Sequence, residues 1–197
     1  MKRTYGRVLL FTVTLAVAVA TSVHPTAAST RPPIDWHKVH AATLTARQIT
    51  TASGTGYTAQ TMGVNCTLRG PQGAIACWQK YPHSDGALTA KAPWVTHVNV
   101  FAFPTVASAK KYLAHMGERI KGPITSTGKG IRLVGVDRQS HISDGMSIWM
   151  GAEASVIETV GTQVVWTACA DPTGTTATGE LTRCAQSVAK AQVNRLP

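Results

Sequence analysis

The sequence predicts an α+β fold: a single domain in which a twisted antiparallel sheet of about five to seven strands carries two or three helices and two disulfide bonds. Three observations lead to this prediction. Residues 94–120 combine a strand pattern with an amphipathic helix pattern. Further short strand-like runs follow, separated by turns. The four cysteines form two closely spaced pairs.

Residues 1–28 have the layout of a secretory signal peptide. Three basic residues lie before Val8, an uncharged run extends from there to Ala20, and small residues continue to Ala28. Because the uncharged run is short for a bilayer span, a retained membrane anchor is the less favoured interpretation. We therefore expect a secreted, extracellular protein that is cleaved near Ala28, or alternatively after Ala20, with no membrane span in its mature form.

The rest of the chain has the length of one domain. Residues 29–40 contain prolines and no hydrophobic periodicity, so they predict a flexible leader, and the folded domain is expected over 41–197. Removal of residues 1–28 takes away three of the 19 basic residues and none of the nine acidic ones; the difference of 16 and nine is a net charge of +7. These charges are scattered, so we expect no specific nucleic-acid partner.

The cysteines indicate disulfide bonds formed in an oxidising compartment. Three pairings are formally open for four cysteines. We favour Cys66 with Cys77 and Cys169 with Cys184, because the members of each pair are close in sequence and flank a turn-rich loop. Zinc is the alternative use of four cysteines, but the chain has no Cys-x-x-Cys pair. We therefore expect neither a metal nor a cofactor.

The first elements of the domain follow from local signals. Thr45 and Gln48 form a capping box, which predicts a short helix over 46–52. Residues 57–66 and 74–81 are strand-like and are separated by a loop rich in glycine, so they predict a hairpin. The proposed bond between the first two cysteines would tie the two arms of this hairpin together.

The strand over 94–103 and the helix after Pro104 are the central unit of the prediction. Alternation places Trp94, Thr96 and Val98 on one face of the strand and the intervening residues on the other. The helix has an apolar stripe at helical spacing. This stripe consists of Val106, Ala109, Leu113, Met116 and Ile120.

The last third of the chain predicts more strands and a closing helix. Strand-like runs lie at 131–137, 145–152, 155–160 and 163–170, with a tight turn between the last two. An apolar stripe then predicts a helix that the second disulfide would pin to the strand before it. This stripe consists of Leu181, Cys184, Ala185, Val188 and Ala191.

Several of these segments together resemble the extracellular sensor domains of actinobacterial receptor-type Ser/Thr kinases and related secreted or lipid-anchored proteins. The resemblance lies in LTARQI at 44–49, CTLRGPQGAIAC at 66–77, VNVFAFPTVASAKKYL at 98–113, GTQVVWTACADP at 161–172 and LTRCAQSVAKAQVNRL at 181–196. It implies a disulfide-stapled sheet with a cleft for a ligand, and no catalysis. The chain departs from the pattern in lacking a kinase, a lipid-attachment cysteine and a Trp-x-x-Cys after the middle helix.

Three residues are candidates for a ligand-binding site: His97, Asn99 and Trp149. The first two are polar side chains on a central strand, which must find partners if they are buried or else form the floor of a cleft. Trp149 lies opposite an already apolar strand face, so it packs under a helix or lines a groove. We expect a monomer that binds a small molecule or a component of the cell envelope; a protein partner is the alternative.

The usual hydrolase motifs are missing, so the sequence predicts a protein that is not an enzyme. A secreted hydrolase with an unrecognised site is a remoter alternative; its residues would be His97, His115, Asp137 and His141, or a polar loop of Asp137, His141 and Asp144. Another alternative is a protease inhibitor, because CADPTGTTATGELTRCA at 169–185 is similar to the first Cys loop of the subtilisin-inhibitor family of streptomycetes.

Overall fold

The structure is a computed structural model, and it describes residues 34–54, 65–67, 73–80, 93–120, 122–143 and 148–197. These residues form four helices and seven strands, which confirms the predicted α+β class and two disulfides. The helices are α1 (Trp36–Ala42), α2 (Ala46–Ser53), α3 (Val106–Ile120) and α4 (Thr178–Val193). The strands are β1 (Asn65–Thr67), β2 (Ile75–Lys80), β3 (Trp94–Ala102), β4 (Ile124–Ser126), β5 (Ile131–Ser143), β6 (Ile148–Val160) and β7 (Gln163–Asp171).

All seven strands belong to one antiparallel sheet with the order β1-β2-β3-β7-β6-β5-β4. Strands β3, β7 and β6 lie in its centre, and β7 crosses back to pair with the much earlier β3. Strand β4 lies at one edge and pairs with only the first three residues of β5, Ile131 to Leu133. Strand β5 also has a bulge between Asp137 and Ser140, which interrupts its pairing with β6.

Helices cover the two faces of the sheet unequally. On one face, which we call the closed face, α2 and α4 pack on Val98, Val156 and Cys169. Helix α1 adds Val39 to a neighbouring cluster on β2 and β3. On the opposite face, α3 packs through Tyr112 and its neighbours. The strand residues beneath α3 are Phe101, Phe103, Leu133, Ile157 and Val164.

A close approach at Gly135 fixes where α3 ends on its face. Gly135 lies in β5, and a Cβ atom there would collide with the side chain and carbonyl oxygen of Ile120, the last residue of α3. A glycine is therefore required for the C-terminal end of the helix to touch the strand. On this face of the sheet, no helix among the described residues packs on the strands beyond the contact between Gly135 and the end of α3.

The central strand and helix are confirmed, with one correction to the faces. A β-bulge lies at Thr96, where the register of β3 against β7 shifts between Val95 and His97. An extra residue in a strand reverses the alternation before it. Val95 consequently joins the core of the closed face. The hydroxyl of Thr96 turns to the α3 face, where it reaches Glu153.

The predicted leader is wrong for its second half, because residues 36–42 form α1. The Asp35 carboxylate caps this helix by accepting hydrogen bonds from the backbone N–H groups of His37 and Lys38. Val39 is buried against the sheet. A seven-residue helix gains its stability from such tertiary packing rather than from its own periodicity, which is why the pattern did not reveal it. Residues 29–33 lie outside the described part of the chain.

Both predicted disulfides are present. Cys66 and Cys77 are directly opposite each other in the β1–β2 hairpin. Cys169 of β7 is bonded to Cys184 of α4, as the closing-helix prediction required. The predicted strand over 57–66 lies outside the described residues except for its last two positions, which begin β1. The capping box of Thr45 and Gln48 and the helix that it starts are also confirmed.

Two strand predictions need correction. Residues 145–152 and 155–160 were expected to be separate strands, but Ile148–Val160 is one continuous strand, β6. Strand β4 was not predicted, because it has only three residues, all exposed, and a single apolar side chain, that of Ile124, makes no alternating pattern. No helix in the described residues is both long and apolar enough to cross a membrane.

Candidate functional site

A group of polar and aromatic side chains occupies the sheet beyond the end of α3. Strand β3 contributes the bulge residue and two neighbours, and β6 and β7 contribute the rest. We call this group the polar patch; it consists of Thr96, His97, Asn99, Glu153, Ser155 and Trp166. All of these side chains are half-buried except that of Ser155, which is buried. The patch therefore combines hydrogen-bonding groups with an aromatic surface.

The register of the strands explains why these residues meet. His97 pairs with Ala168, Asn99 with Trp166, and Ser155 with Ala168. Residues that are opposite each other in an antiparallel pair point to the same face. The even-numbered positions of β7 must point away from α4, because Cys169 is bonded to that helix. Trp166 thus lies on the same side of the sheet as His97.

Two aromatic rings define one side of the patch. The rings of His97 and Trp166 pack edge to face, with 4.5 Å between centroids and an angle of 84° between planes. The indole Nε1–H of Trp166 donates a hydrogen bond to Ser155 Oγ at 3.3 Å. This hydrogen bond joins β7 to β6 and fixes the orientation of the indole.

The hydroxyl of Thr96 joins the aromatic side of the patch to an acidic group. It lies 3.1 Å from Glu153 Oε2 and donates a hydrogen bond to it. It also lies 3.3 Å from the carbonyl oxygen of Ala168 and 3.4 Å from His97 Nδ1. Because a hydroxyl has a single hydrogen to donate, the carboxylate and the carbonyl oxygen compete for it, whereas His97 Nδ1 donates or accepts according to its tautomer.

Glu153 is the principal charged group of the patch. Burial raises the pKa of Glu153; the hydrogen bond from Thr96 opposes this shift, and the nearby carboxylate of Asp137 adds to it. No Lys, Arg or His of the described residues forms an ion pair with Glu153. Among the described side chains, the carboxylate therefore has a hydrogen-bond donor but no ion-pair partner.

The structure brings two of the three predicted site residues together. His97 and Asn99 lie on the same strand face, two positions apart, as expected. Trp149 is in β6, where its backbone pairs with Ile142 of β5, and its side chain lies outside what the structure describes. Sequence reasoning missed Trp166, Glu153 and Thr96. The disulfide to α4 was the available signal for Trp166, because it fixes which side of β7 faces that helix.

The residues of the hydrolase alternative lie on three elements: His97 is on β3, His115 is on α3, and Asp137 and His141 are on β5, which is a strand where a loop was predicted. Asp137 is exposed in β5, opposite Glu153. His115 is on the exposed side of α3, with Nδ1 4.0 Å from Glu118 Oε2. The side chain of His141 and the whole of Asp144 lie outside the described residues. In this part of the chain, no three His, Cys, Asp or Glu side chains are grouped as metal ligands.

A concave site lies on the closed-face side of the molecule, between α2 and the end of α4. It is a groove of about 620 Å³. Its lining is Leu44, Thr45, Arg47, Gln48, Thr51, Ala52, Ala191 and Arg195. The groove thus has an apolar floor, with cationic side chains and no acidic residue in its lining.

The segment that resembles an inhibitor loop is organised by Asp171. This buried carboxylate accepts hydrogen bonds from the backbone N–H groups of Thr173 and Thr176 and from the hydroxyls of Thr173 and Thr175. Burial alone would raise the pKa of Asp171, but these hydrogen bonds outweigh burial and hold it well below the ordinary value. They position the loop that leads into α4.

Comparisons with protein-family models, with curated proteins and with solved structures give no significant match for this chain.

Proposed function

We propose that this protein is a secreted, non-enzymatic binding module, and that its polar patch binds a small molecule or cell-envelope fragment carrying a protonated amine. The two disulfides and the resemblance to sensor domains support an extracellular role. The observation that carries the proposal is the polar patch, where a half-buried carboxylate lies near aromatic rings on a part of the sheet that no described helix covers.

The chemistry of the patch favours binding over catalysis. In a hydrolytic triad the base contacts the nucleophile and the acid contacts the base. Here both His97 and Glu153 approach the same hydroxyl, that of Thr96. The three side chains are therefore not arranged in the sequence nucleophile, base and acid that a triad requires. A carboxylate that is partly removed from water and has no ion-pair partner among the described side chains is instead complementary to a cation. The face of Trp166 offers additional cation–π attraction.

Binding of amine-bearing envelope fragments tests the proposal. The oxidised protein would be titrated with soluble peptidoglycan fragments that have a free amine and with the same fragments after N-acetylation, using calorimetry and backbone amide NMR shifts. We expect saturable binding of the free amines, with shifts centred on β3, β6 and β7, and a clear loss of affinity on acetylation.

Variants locate the site. Glu153→Gln removes the charge while keeping a hydrogen-bond acceptor, and it should weaken amine binding by about tenfold or more. Glu118→Gln on α3 is the matched control, because that acid is exposed, and it should bind like wild type. Equal binding by both variants, or no saturable binding of any amine, would overturn the proposal. Inhibition of subtilisin or trypsin by the protein, without amine binding, would favour the inhibitor alternative.

A further inference from the structure

The groove between α2 and α4 is a second site, separate from the polar patch. It lies on the helices of the closed face, whereas the polar patch is on the other side of the sheet. We propose that this groove binds a free fatty acid, with its alkyl chain along the groove and its carboxylate at the arginines. The proposal does not depend on the function proposed for the patch.

The size and lining of the groove favour a small amphiphile. A volume of about 620 Å³ lies within the range of roughly 300–1,000 Å³ that is usual for small-ligand pockets. A stable protein interface uses roughly 20–30 residues on each side, whereas eight residues line this groove. Half-buried Ala52 and Ala191 provide an apolar surface for an alkyl chain, and the lining also includes the almost fully buried Leu44.

The charge of the groove selects an anionic head group. Arg47 is exposed on α2, and its side chain makes no hydrogen bond or ion pair with another described residue. Arg195 donates hydrogen bonds from Nε to the carbonyl oxygen of Ala42 and from Nη2 to that of Ala41, which holds its guanidinium beside the groove. Its Nη1 is not used in these bonds. The two guanidinium groups suit a carboxylate.

The fold keeps the walls of the groove in place. Gln192 of α4 is fully buried; its Nε2 donates to the carbonyl oxygen of Ala42, and its Oε1 accepts from the backbone N–H of Leu44. These hydrogen bonds join α4 to the segment that precedes α2. The groove is therefore formed before a ligand arrives, and binding does not lose free energy in ordering its walls.

Calorimetry with sodium dodecanoate below its micellar concentration tests the inference. We expect saturable binding of one molecule per chain, and much weaker binding of dodecyltrimethylammonium, which has the same chain and the opposite charge. Vesicles of phosphatidylglycerol and phosphatidylcholine distinguish a membrane surface from a free fatty acid. Binding to vesicles without binding to monomeric dodecanoate would overturn the inference, as would equal affinity for the two detergents.

Two variants address the groove directly. Arg47→Glu should weaken dodecanoate binding by about tenfold or more, because it reverses the charge at the head-group end. Ala191→Trp should abolish binding by filling the groove. Lys111→Glu, an exposed change on α3, is the control and should bind like wild type. Wild-type affinity in Arg47→Glu would overturn the inference, and this variant alone decides the matter if Ala191→Trp does not fold.

Discussion

Two carboxylates on opposite faces of the sheet have opposite electrostatic environments. Asp171, on the closed-face side, is fully buried, and surrounding hydrogen bonds hold its pKa well below the ordinary value. Glu153, in the polar patch, is less buried, yet burial raises its pKa because fewer donors compensate. Folding therefore favours the charged form of the first group and disfavours that of the second.

This difference separates a structural acid from a candidate functional one. A buried charge with a full set of donors contributes to the stability of the fold. A charge that lacks such compensation lowers stability at neutral pH, and sites for ligands are where such groups are commonly found. A related contrast holds between the two faces: on the closed face Gln192 is buried with both ends of its amide hydrogen-bonded, whereas the other face carries the half-buried side chains of the polar patch.

The largest change is expected from removal of the disulfide that holds α4 to the closed face. Cys169→Ala with Cys184→Ala opens a loop of 15 residues, and we expect the free energy of unfolding to fall by about 3 kcal/mol. Chemical denaturation monitored by circular dichroism measures this. The matched double substitution, Cys66→Ala with Cys77→Ala, opens a shorter loop of 11 residues at the sheet edge and should lower the free energy of unfolding slightly less. A larger cost for the edge pair would contradict the importance assigned to α4.

Asp171→Asn should have the next largest effect, about 2 kcal/mol of destabilisation at neutral pH, through weaker hydrogen bonds to the loop. A carboxyl group with a lowered pKa in the folded state stabilises the protein above its unfolded pKa, and this stabilisation is lost as the pH falls towards the folded pKa. Wild type should therefore lose more stability than the variant on acidification below about pH 4. Parallel pH profiles for the two proteins would contradict this interpretation.

Gly135→Ala should destabilise by about 1–2 kcal/mol, because the new methyl group collides with Ile120 at the end of α3. The closed face should be unaffected, so amide exchange should increase in α3 and not in α4. Gly128→Ala is the control, because a Cβ atom there meets no neighbouring atom. Equal thermal stability of Gly135→Ala and wild type would show that α3 does not need this close contact.

The smallest effect on stability is expected for Glu153→Gln, which should stabilise the protein slightly where the other changes destabilise it. The pKa of Glu153 is raised by folding, so its favourable contribution is present below the unfolded pKa and is lost as the pH rises through the folded pKa. The variant should therefore have a slightly higher Tm than wild type at about pH 7 and the same Tm below about pH 4. A lower Tm of the variant at neutral pH would mean that the charge of Glu153 stabilises the fold.

Local signals predicted most of the fold. The capping box of Thr45 and Gln48, the apolar stripe of α4 and the spacing of the cysteines each depend on nearby residues, and each is confirmed. Helix α1 depends on distant contacts instead, and strand β4 is only a three-residue arm of a hairpin with β5. Val39 helps to stabilise α1 by packing on the sheet, and the three exposed residues of β4 are held by pairing with β5. Their local sequences lacked the corresponding periodicity.

The site was predictable only in part, for the same reason. His97 and Asn99 stood out as polar residues on an apolar strand. The bulge at Thr96 depends on how β3 pairs with β7. Simple alternation along β3 therefore could not predict that the side chain of Thr96 points towards Glu153. Glu153 and Trp166 are close to these residues only because β6 and β7 return to β3 from about 60 positions later in the chain.

The bulge in β5 has a consequence for the behaviour of the protein at high concentration. Strand β4 pairs with only three residues of β5, so much of β5 is an edge strand among the described residues. A long, flat edge would invite aggregation by strand addition. The bulge between Asp137 and Ser140 interrupts this edge, and the exposed side chains of Asp137, Arg138 and Gln139 place charged and polar groups along it. An approaching strand would find neither a regular ladder nor an apolar rim.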